Sequence, residues 1–235
     1  MSNRGKPFQF SRDTFVHLLQ ELKRADYRFL SFGDALDSGG RHNGKSCLLR
    51  HDVDVSMDFA VDMAQLESEA GVRATYFVML RSPLYNLMSR HAGQRLAQLI
   101  SLGHHIGLHF DASFPFARGK DLERELVFEL DVLSELVGGN VSAFSFHQPS
   151  DEAIRMRLAL PGVINTYHPD QLSGYKYISD SNRVWRELDP YDLIASGIPY
   201  IHLLLHPIWW MCPNENVYDC WDQAINRNFE SAQAQ

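Results

Sequence analysis

Cysteine is scarce in this sequence, with three residues among 235. Cys47, Cys212 and Cys220 form no C-x-x-C pair and are odd in number, so they do not make the disulfide framework of a small secreted domain. They are typical of free thiols in a reducing compartment. We assign them no function.

Long apolar runs and blocks of basic residues are also missing. No apolar segment approaches the ~18 residues of a membrane-spanning helix, and residues 1–9 lack the apolar core of a secretory signal. The formal charge of −7, without a block of Lys or Arg, argues against nucleic acid or an anionic membrane as the main partner. The sequence therefore predicts a cytoplasmic protein with small-molecule or carbohydrate ligands, and it leaves the oligomeric state open.

A glycine-rich phosphate loop follows none of the predicted strands, which argues against a dinucleotide or P-loop site. What the chain does contain is a repeated alternation of strands and helices. Strands are predicted at 46–50, 72–80, 104–110, 141–146 and 200–205, and helices at 57–70, 87–102 and 121–137. This alternation predicts a parallel sheet with right-handed crossovers. The number of units favours an irregular (β/α) barrel over an open sheet.

The length and the hydrophobic content of 45% favour one large α/β domain. Within it, residues 1–45 are predicted to form an N-terminal helix and loop, residues 46–210 the barrel, and residues 211–235 a C-terminal helix.

The stretch that organises the chain is an apolar strand that ends in two carboxylates, Asp52 and Asp54. In an extended backbone these side chains point to the same face, because side chains alternate along a strand. Two carboxylates this close repel each other unless a cation or a shared proton compensates. The structural alternative is a solvated strand end that caps the next helix.

Carboxylates and imidazoles follow the other predicted strands as well. In parallel α/β folds the functional groups gather where the strands end. The residues at these positions are Asp52, Asp54, His109, Asp111, His147, Asp180 and His206. Converging groups of these types suit a divalent metal ion combined with general acid-base catalysis.

His105 and His109 have the H-x3-H spacing of a helical metal chelate, but the local pattern predicts a strand. Ile106 and Leu108 alternate with the polar positions. Four residues of strand span roughly 13 Å, which is too far for two ligands of one ion. We therefore exclude His105 and keep His109 and Asp54 as the firmest ligands.

Five short motifs occur in order between about residues 46 and 210: RHDVD at 50–54, VRATYF at 72–77, GHHIGLH at 103–109, FHQP at 146–149 and LLLHP at 203–207. Together they resemble the polysaccharide deacetylase family, that is, the NodB-homology fold or carbohydrate esterase family four. The HDVD opening and the GLHFD segment resemble a divergent branch of that family. The resemblance implies a distorted (β/α) barrel and metal-dependent amide hydrolysis.

By position, the resemblance implies that Asp52 is the catalytic base, that Asp54 and His109 are metal ligands, and that His206 is the general acid. The chain departs from the family pattern at Ser113, which stands where the second metal histidine is expected. The implied cofactor is a divalent metal, with zinc preferred.

Two residues are candidates for the missing third ligand. Asp111 is preferred because it lies next to His109 in the predicted strand end. His147 is the alternative, and it stands where the family usually has an arginine.

Substrate contacts are predicted for Asp180, Arg183, Trp185, Trp209, Trp210 and Tyr85. The aromatic rings could stack on a sugar, although two Trp after a strand are equally typical of core. The polar residues could orient His206 or the substrate, with a surface ion pair as the structural alternative.

The favoured function is removal of an N-acyl group, acetyl or formyl, from an amino-sugar intermediate of surface polysaccharide biosynthesis. The sugar carrier, whether nucleotide, lipid or polymer, is left open. One alternative is a catalytically silent carbohydrate-binding relative. Another is a metal hydrolase of a non-sugar amide, such as a ureide or a cyclic imide.

Overall fold

The computed structural model describes residues 8–37, 44–114 and 121–233. Residues 38–43, in the N-terminal region predicted to hold a helix and a loop, therefore lie outside the described residues. The strands are β1 (Tyr27–Phe29), β2 (Lys45–Val53), β3 (Thr75–Val78), β4 (His105–Phe110), β5 (Ala143–Phe146), β6 (Ile164–Asn165), β7 (Lys176–Ser179) and β8 (Tyr200–Leu205). The helices are α1 (Arg12–Arg24), α2 (Phe32–Asp37), α3 (Met57–Glu69), α4 (Arg90–Ser101), α5 (Leu122–Val137), α6 (Asp151–Arg155), α7 (Pro190–Ala195), α8 (Pro207–Met211) and α9 (Val217–Gln233).

The main helices begin and end at signals that the sequence carries. Ser11 caps α1 by accepting a hydrogen bond from the Thr14 backbone N–H, and Asp121 caps α5 through the backbone N–H of Arg124. Gly138 ends α5 in the left-handed conformation, with φ of 66°. The buried residues of α1, α3, α4 and α5 join strand residues in one large hydrophobic cluster.

All strand pairs are parallel, and the sheet order is β6-β5-β4-β3-β2-β8-β7, with β1 paired to the start of β2. Strands that are distant in this order share one buried cluster, in which Leu48 of β2 lies with Ala143 of β5 and Ile164 of β6. The sheet is therefore curled, and β6 and β7 are its two ends. The predicted distorted (β/α) barrel is confirmed.

The inside of the barrel is narrow beside β4. A Cβ atom at Gly107 would lie 2.6 Å from the Phe77 ring, so only glycine fits there. Phe32 and Ala35 of α2 join the same interior cluster. This packing fills the amino-terminal half of the barrel and leaves polar side chains at the carboxyl-terminal end.

The central strand β2 lies between β3 and β8 and is longer than the predicted 46–50. Asp52 therefore lies inside the strand, and Asp54 follows its last residue. Among the described helices, none has the length and apolarity to cross a membrane.

Candidate active site

Three side chains from the ends of β2, β4 and β5 converge at the carboxyl-terminal rim of the barrel. Asp54 follows β2, His109 lies on β4, and His147 follows β5. Oδ1 of Asp54 is 3.0 Å from Nε2 of His109 and 3.5 Å from Nδ1 of His147, and the two imidazole nitrogens are 3.3 Å apart. Among the described residues, this trio has its ligand atoms within 4.8 Å of one another.

The arrangement of these atoms fits a divalent cation. Oδ1 of Asp54 is buried and accepts no hydrogen bond from the described residues, although Nε2 of His109 is 3.0 Å away. Nδ1 of His109 is 2.7 Å from Oγ of the fully buried Ser145. When Nδ1 donates to Ser145, the Nε2 lone pair faces the other two ligand atoms. Two imidazoles and one carboxylate form a common zinc donor set, and such an outer partner fixes the ligand tautomer.

Asp111, the preferred third ligand, has a different partner in this structure. Oδ1 of Asp111 accepts hydrogen bonds from the backbone N–H of Ser113 at 2.9 Å and from its hydroxyl at 2.6 Å. The carboxylate is thus engaged in a local turn and lies outside the trio. His147 completes the trio instead.

Asp52 is held by an arginine on its own strand. Nε and Nη2 of Arg50 donate to Oδ1 and Oδ2 of Asp52 at 2.7 and 2.6 Å, and the two side chains are 1% and 3% exposed. Burial raises the pKa of Asp52, but the charges of Arg50 and His109 outweigh this and hold the pKa below its ordinary value. Asp52 is therefore ionised at neutral pH, and its Oδ2 lies 3.7 Å from Nε2 of His109.

His206 approaches the other carboxylate oxygen of Asp54, with Nε2 3.8 Å from Oδ2. Its Nδ1 is 2.6 Å from Oδ1 of the fully buried Asp180, which also accepts hydrogen bonds from the His206 backbone N–H and from Nε1 of Trp210. Burial alone would lower the pKa of His206, but the Asp180 carboxylate raises it to about 9. His206 is thus a cation at neutral pH in the metal-free protein.

The charges on Asp54 and His147 are coupled. Burial raises the pKa of Asp54, but contacts with His109 and His147 reverse the shift and place the pKa well below its ordinary range. Burial lowers the pKa of His147, and Asp54 reverses that shift as well. The negative charge of Asp54 therefore raises the pKa of His147 and favours its positively charged form.

Several predicted substrate contacts have other partners in the structure. Trp209 and Trp210 are 5% and 0% exposed, so neither offers an open ring face to a sugar, which corrects that interpretation. The Tyr85 hydroxyl is also engaged, because it accepts from the Met79 backbone N–H and donates to the Val53 carbonyl. It fixes the loop beside β2.

The remaining predicted contacts lie around α8 and α9. Arg183 donates to the backbone carbonyls of Asn214 and Glu215 and so holds the segment before α9. The half-buried Trp185 stacks on Phe10 at 6.0 Å. Asp180 alone of this group joins the rim, where it orients His206.

No protein-family model and no curated protein matches the chain. Solved structures do match. The deacetylase PplD of Streptococcus pyogenes, solved in complex with acetate, has a TM-score of 0.52 at 16% identity and covers 85% of this chain and 93% of its own. Polysaccharide deacetylase Bc1974 from Bacillus cereus gives 0.48 at 14% identity, with 80% and 89% covered. BA3943, a CE4 family pseudoenzyme from Bacillus anthracis, gives 0.42 at 12% identity, with 81% and 62% covered.

At this level of identity the likeness to PplD shows the fold. The chain has the fold of a polysaccharide deacetylase, which confirms the expectation drawn from its motifs. The likeness does not extend to the chemical activity of the rim, which depends on its own side chains.

Proposed function

We propose that the protein is a divalent-metal hydrolase of the polysaccharide deacetylase family that removes an N-acyl group, acetyl or formyl, from an amino sugar. The observation that carries this proposal is the trio of Asp54, His109 and His147, with an ionised carboxylate, Asp52, 3.7 Å from His109 and a protonated imidazole, His206, 3.8 Å from Asp54. A metal ligand set with a base on one side and an acid on the other is what hydrolysis of an amide needs.

Asp54, His109 and His147 would hold the ion, for which the two nitrogen donors favour zinc. A bound divalent ion supplies Lewis acidity and lowers the pKa of water to near 7 in favourable sites. Ser145 keeps the His109 Nε2 lone pair directed at the ligand position.

Asp52 accepts the proton of the attacking water. Arg50 keeps its carboxylate ionised and fixes its orientation through two hydrogen bonds. His206 donates the Nε2 proton to the departing amine nitrogen, and Asp180 holds the Nδ1 side of the ring. Each proton is thus moved by a side chain whose charge state suits the task at neutral pH.

The substrate assigned to this site is an amino-sugar intermediate of surface polysaccharide biosynthesis, deacylated in the cytoplasm. The support is the family resemblance of the five motifs together with the exposed rim above the trio, where His147 and Asp54 keep 22% and 20% of their side chains accessible. An acylated substituent on a larger molecule can reach a rim of this kind.

Release of acetate and formate tests the proposal. The purified protein is stripped with a chelator, reloaded with zinc, and assayed against N-acetyl and N-formyl amino sugars, both free and nucleotide-linked. We expect zinc-dependent release of one acid, lost in Asp52→Asn and in Asp54→Asn. Zinc binding without any acid release from these substrates would support a silent relative or a non-sugar amidase, and absence of zinc binding would contradict the metal centre itself.

A further inference from the structure

A cavity of about 230 Å³ lies beside Arg50, the partner of Asp52. The segment that connects β6 to β7 forms one wall, and side chains of β2, β7 and β8 form the others. Its polar and aromatic lining consists of Arg50, Thr166, Tyr167, His168, Tyr175, Tyr177 and His202, and Pro169 and Leu172 complete it. A cavity of this size accommodates one ring of the size of a monosaccharide.

Arg50 brings donors to this cavity without bringing net charge. Two of its nitrogens bind Asp52, while Nη1 donates to Thr166 Oγ1 at 2.9 Å. The guanidinium lies 5.1 Å from the Phe77 ring centre and 5.7 Å from that of Tyr167. Because Asp52 already balances the positive charge, the cavity offers an anion no unpaired cation.

His202 leaves a buried polar atom without a partner in the cavity wall. The side chain is 2% exposed, and its Nε2 forms no hydrogen bond with the described residues. An unpartnered buried polar atom costs about 1–3 kcal/mol, so such an atom in a native fold calls for a partner. Burial and the neighbouring Arg50 lower the pKa of His202 to about 3, which keeps the ring neutral.

The tyrosines add neutral hydroxyls and ring faces. Burial raises the pKa of Tyr167 to about 12 and raises the pKa values of Tyr175 and Tyr177, so all three stay protonated at neutral pH. Tyr177 is 45% exposed, and its ring centre lies 5.1 Å from that of His202. It therefore stands at the mouth of the cavity. Neutral donors and acceptors around aromatic faces suit an uncharged polyhydroxylated ring.

We propose that this cavity is a binding site for one neutral, hydroxyl-bearing ring of the size of a single sugar. The lining has hydroxyl, imidazole and guanidinium groups to pair with ring hydroxyls, and it lacks the net positive charge that a sugar acid or sugar phosphate would require. The site goes beyond the proposed function, because filling it requires neither a metal ion nor turnover.

Direct binding to the chelator-stripped protein tests the cavity. Glucose, N-acetylglucosamine and glucuronate are titrated by calorimetry, and the ring nitrogens of the histidines are followed by NMR. We expect millimolar binding of a neutral sugar, weaker binding of glucuronate, and a shift of the His202 resonances. Tyr177→Ala and His202→Phe should weaken binding by about tenfold, the value of one lost hydrogen bond or ring contact.

Two controls separate this cavity from other surfaces and from the metal centre. Tyr218→Ala removes a tyrosine that is 80% exposed on α9, and Asp54→Asn disables the metal trio. Both should bind the sugar like wild type. Equal binding in Tyr177→Ala, loss of binding in Asp54→Asn, preference for glucuronate, or no binding of any neutral sugar would each overturn the proposal. If His202→Phe does not fold, Tyr177→Ala alone decides.

Discussion

Arg50 and Asp52 form a bidentate ion pair within a single strand, with nitrogen–oxygen distances of 2.7 and 2.6 Å and almost no solvent exposure. The two residues are two apart on β2 and so share the inner face of the barrel. The charge of the Asp52 carboxylate is therefore balanced by an arginine. The metal trio has to accommodate the charge of Asp54 alone.

Removing the arginine should destabilise the fold. Arg50→Met leaves the buried Asp52 carboxylate without a counter-ion, and breaking a buried pair in this way costs about 3–5 kcal/mol. The free energy of unfolding in urea measures the loss. The double variant Arg50→Met with Asp52→Asn should recover a large part of it, because no buried charge remains. Equal stabilities of the single variant and wild type would contradict a buried ion pair.

Zinc affinity should distinguish His147 from Asp111. His147→Ala removes one of three converging ligand atoms, so its affinity should fall by at least the 10–100-fold typical of losing even an outer partner of a zinc ligand. Asp111→Asn is the matched control, since that carboxylate is held by Ser113. A competition titration with a chromophoric chelator gives both constants. The opposite ranking would restore Asp111 as the third ligand.

Asp180 should set the proton affinity of His206. Burial disfavours the imidazolium and Asp180 is the main group that opposes this, so Asp180→Asn should lower the His206 pKa from about 9, while Asp54 and Asp52 still act to raise it. An NMR titration of the ring in the metal-free protein measures this shift. Glu187→Gln, which removes an exposed carboxylate in the segment after β7, is the control and should leave the titration unchanged. An unchanged His206 pKa in Asp180→Asn would remove Asp180 from its positioning role.

The sequence predicted those features of the fold and the site that depend on local residue patterns. The alternation of Ile106 and Leu108 with polar residues predicted strand β4, and thereby excluded His105 as a partner of His109. Strand ends rich in His and Asp predicted the rim. A serine two residues after an aspartate is typical of a turn in which the carboxylate accepts hydrogen bonds from the serine. Asp111 and Ser113 form such a turn, so this pattern argued against Asp111 as a metal ligand.

What the sequence did not indicate depends on strand register. Ser145 reaches His109 because β4 and β5 pair with those two residues opposite each other, and no local pattern specifies that pairing. Arg50 lies two residues before Asp52 in the sequence, but their pairing depends on the curled sheet that buries both side chains. Trp210 was predicted to stack on a sugar, but its indole N–H instead donates to Asp180.

The buried His202 should make the fold sensitive to acid. Its pKa is about 3 in the folded protein and 6.5 in the unfolded chain, so between these values the unfolded chain binds the extra proton. Stability therefore falls as pH decreases through this window, by up to about 1.4 kcal/mol per pH unit from this residue. Urea unfolding at pH 4 to 6.5 gives the free energy of unfolding at each pH. This free energy should change less steeply with pH in His202→Phe than in wild type. Above pH 7 His202 is neutral in both the folded protein and the unfolded chain. The pH dependence of the unfolding free energy should then be the same in the variant and in wild type, which serves as the internal control. Identical slopes below pH 6.5 would mean that His202 accepts a proton in the folded barrel, and that the cavity wall is wetter than its burial indicates.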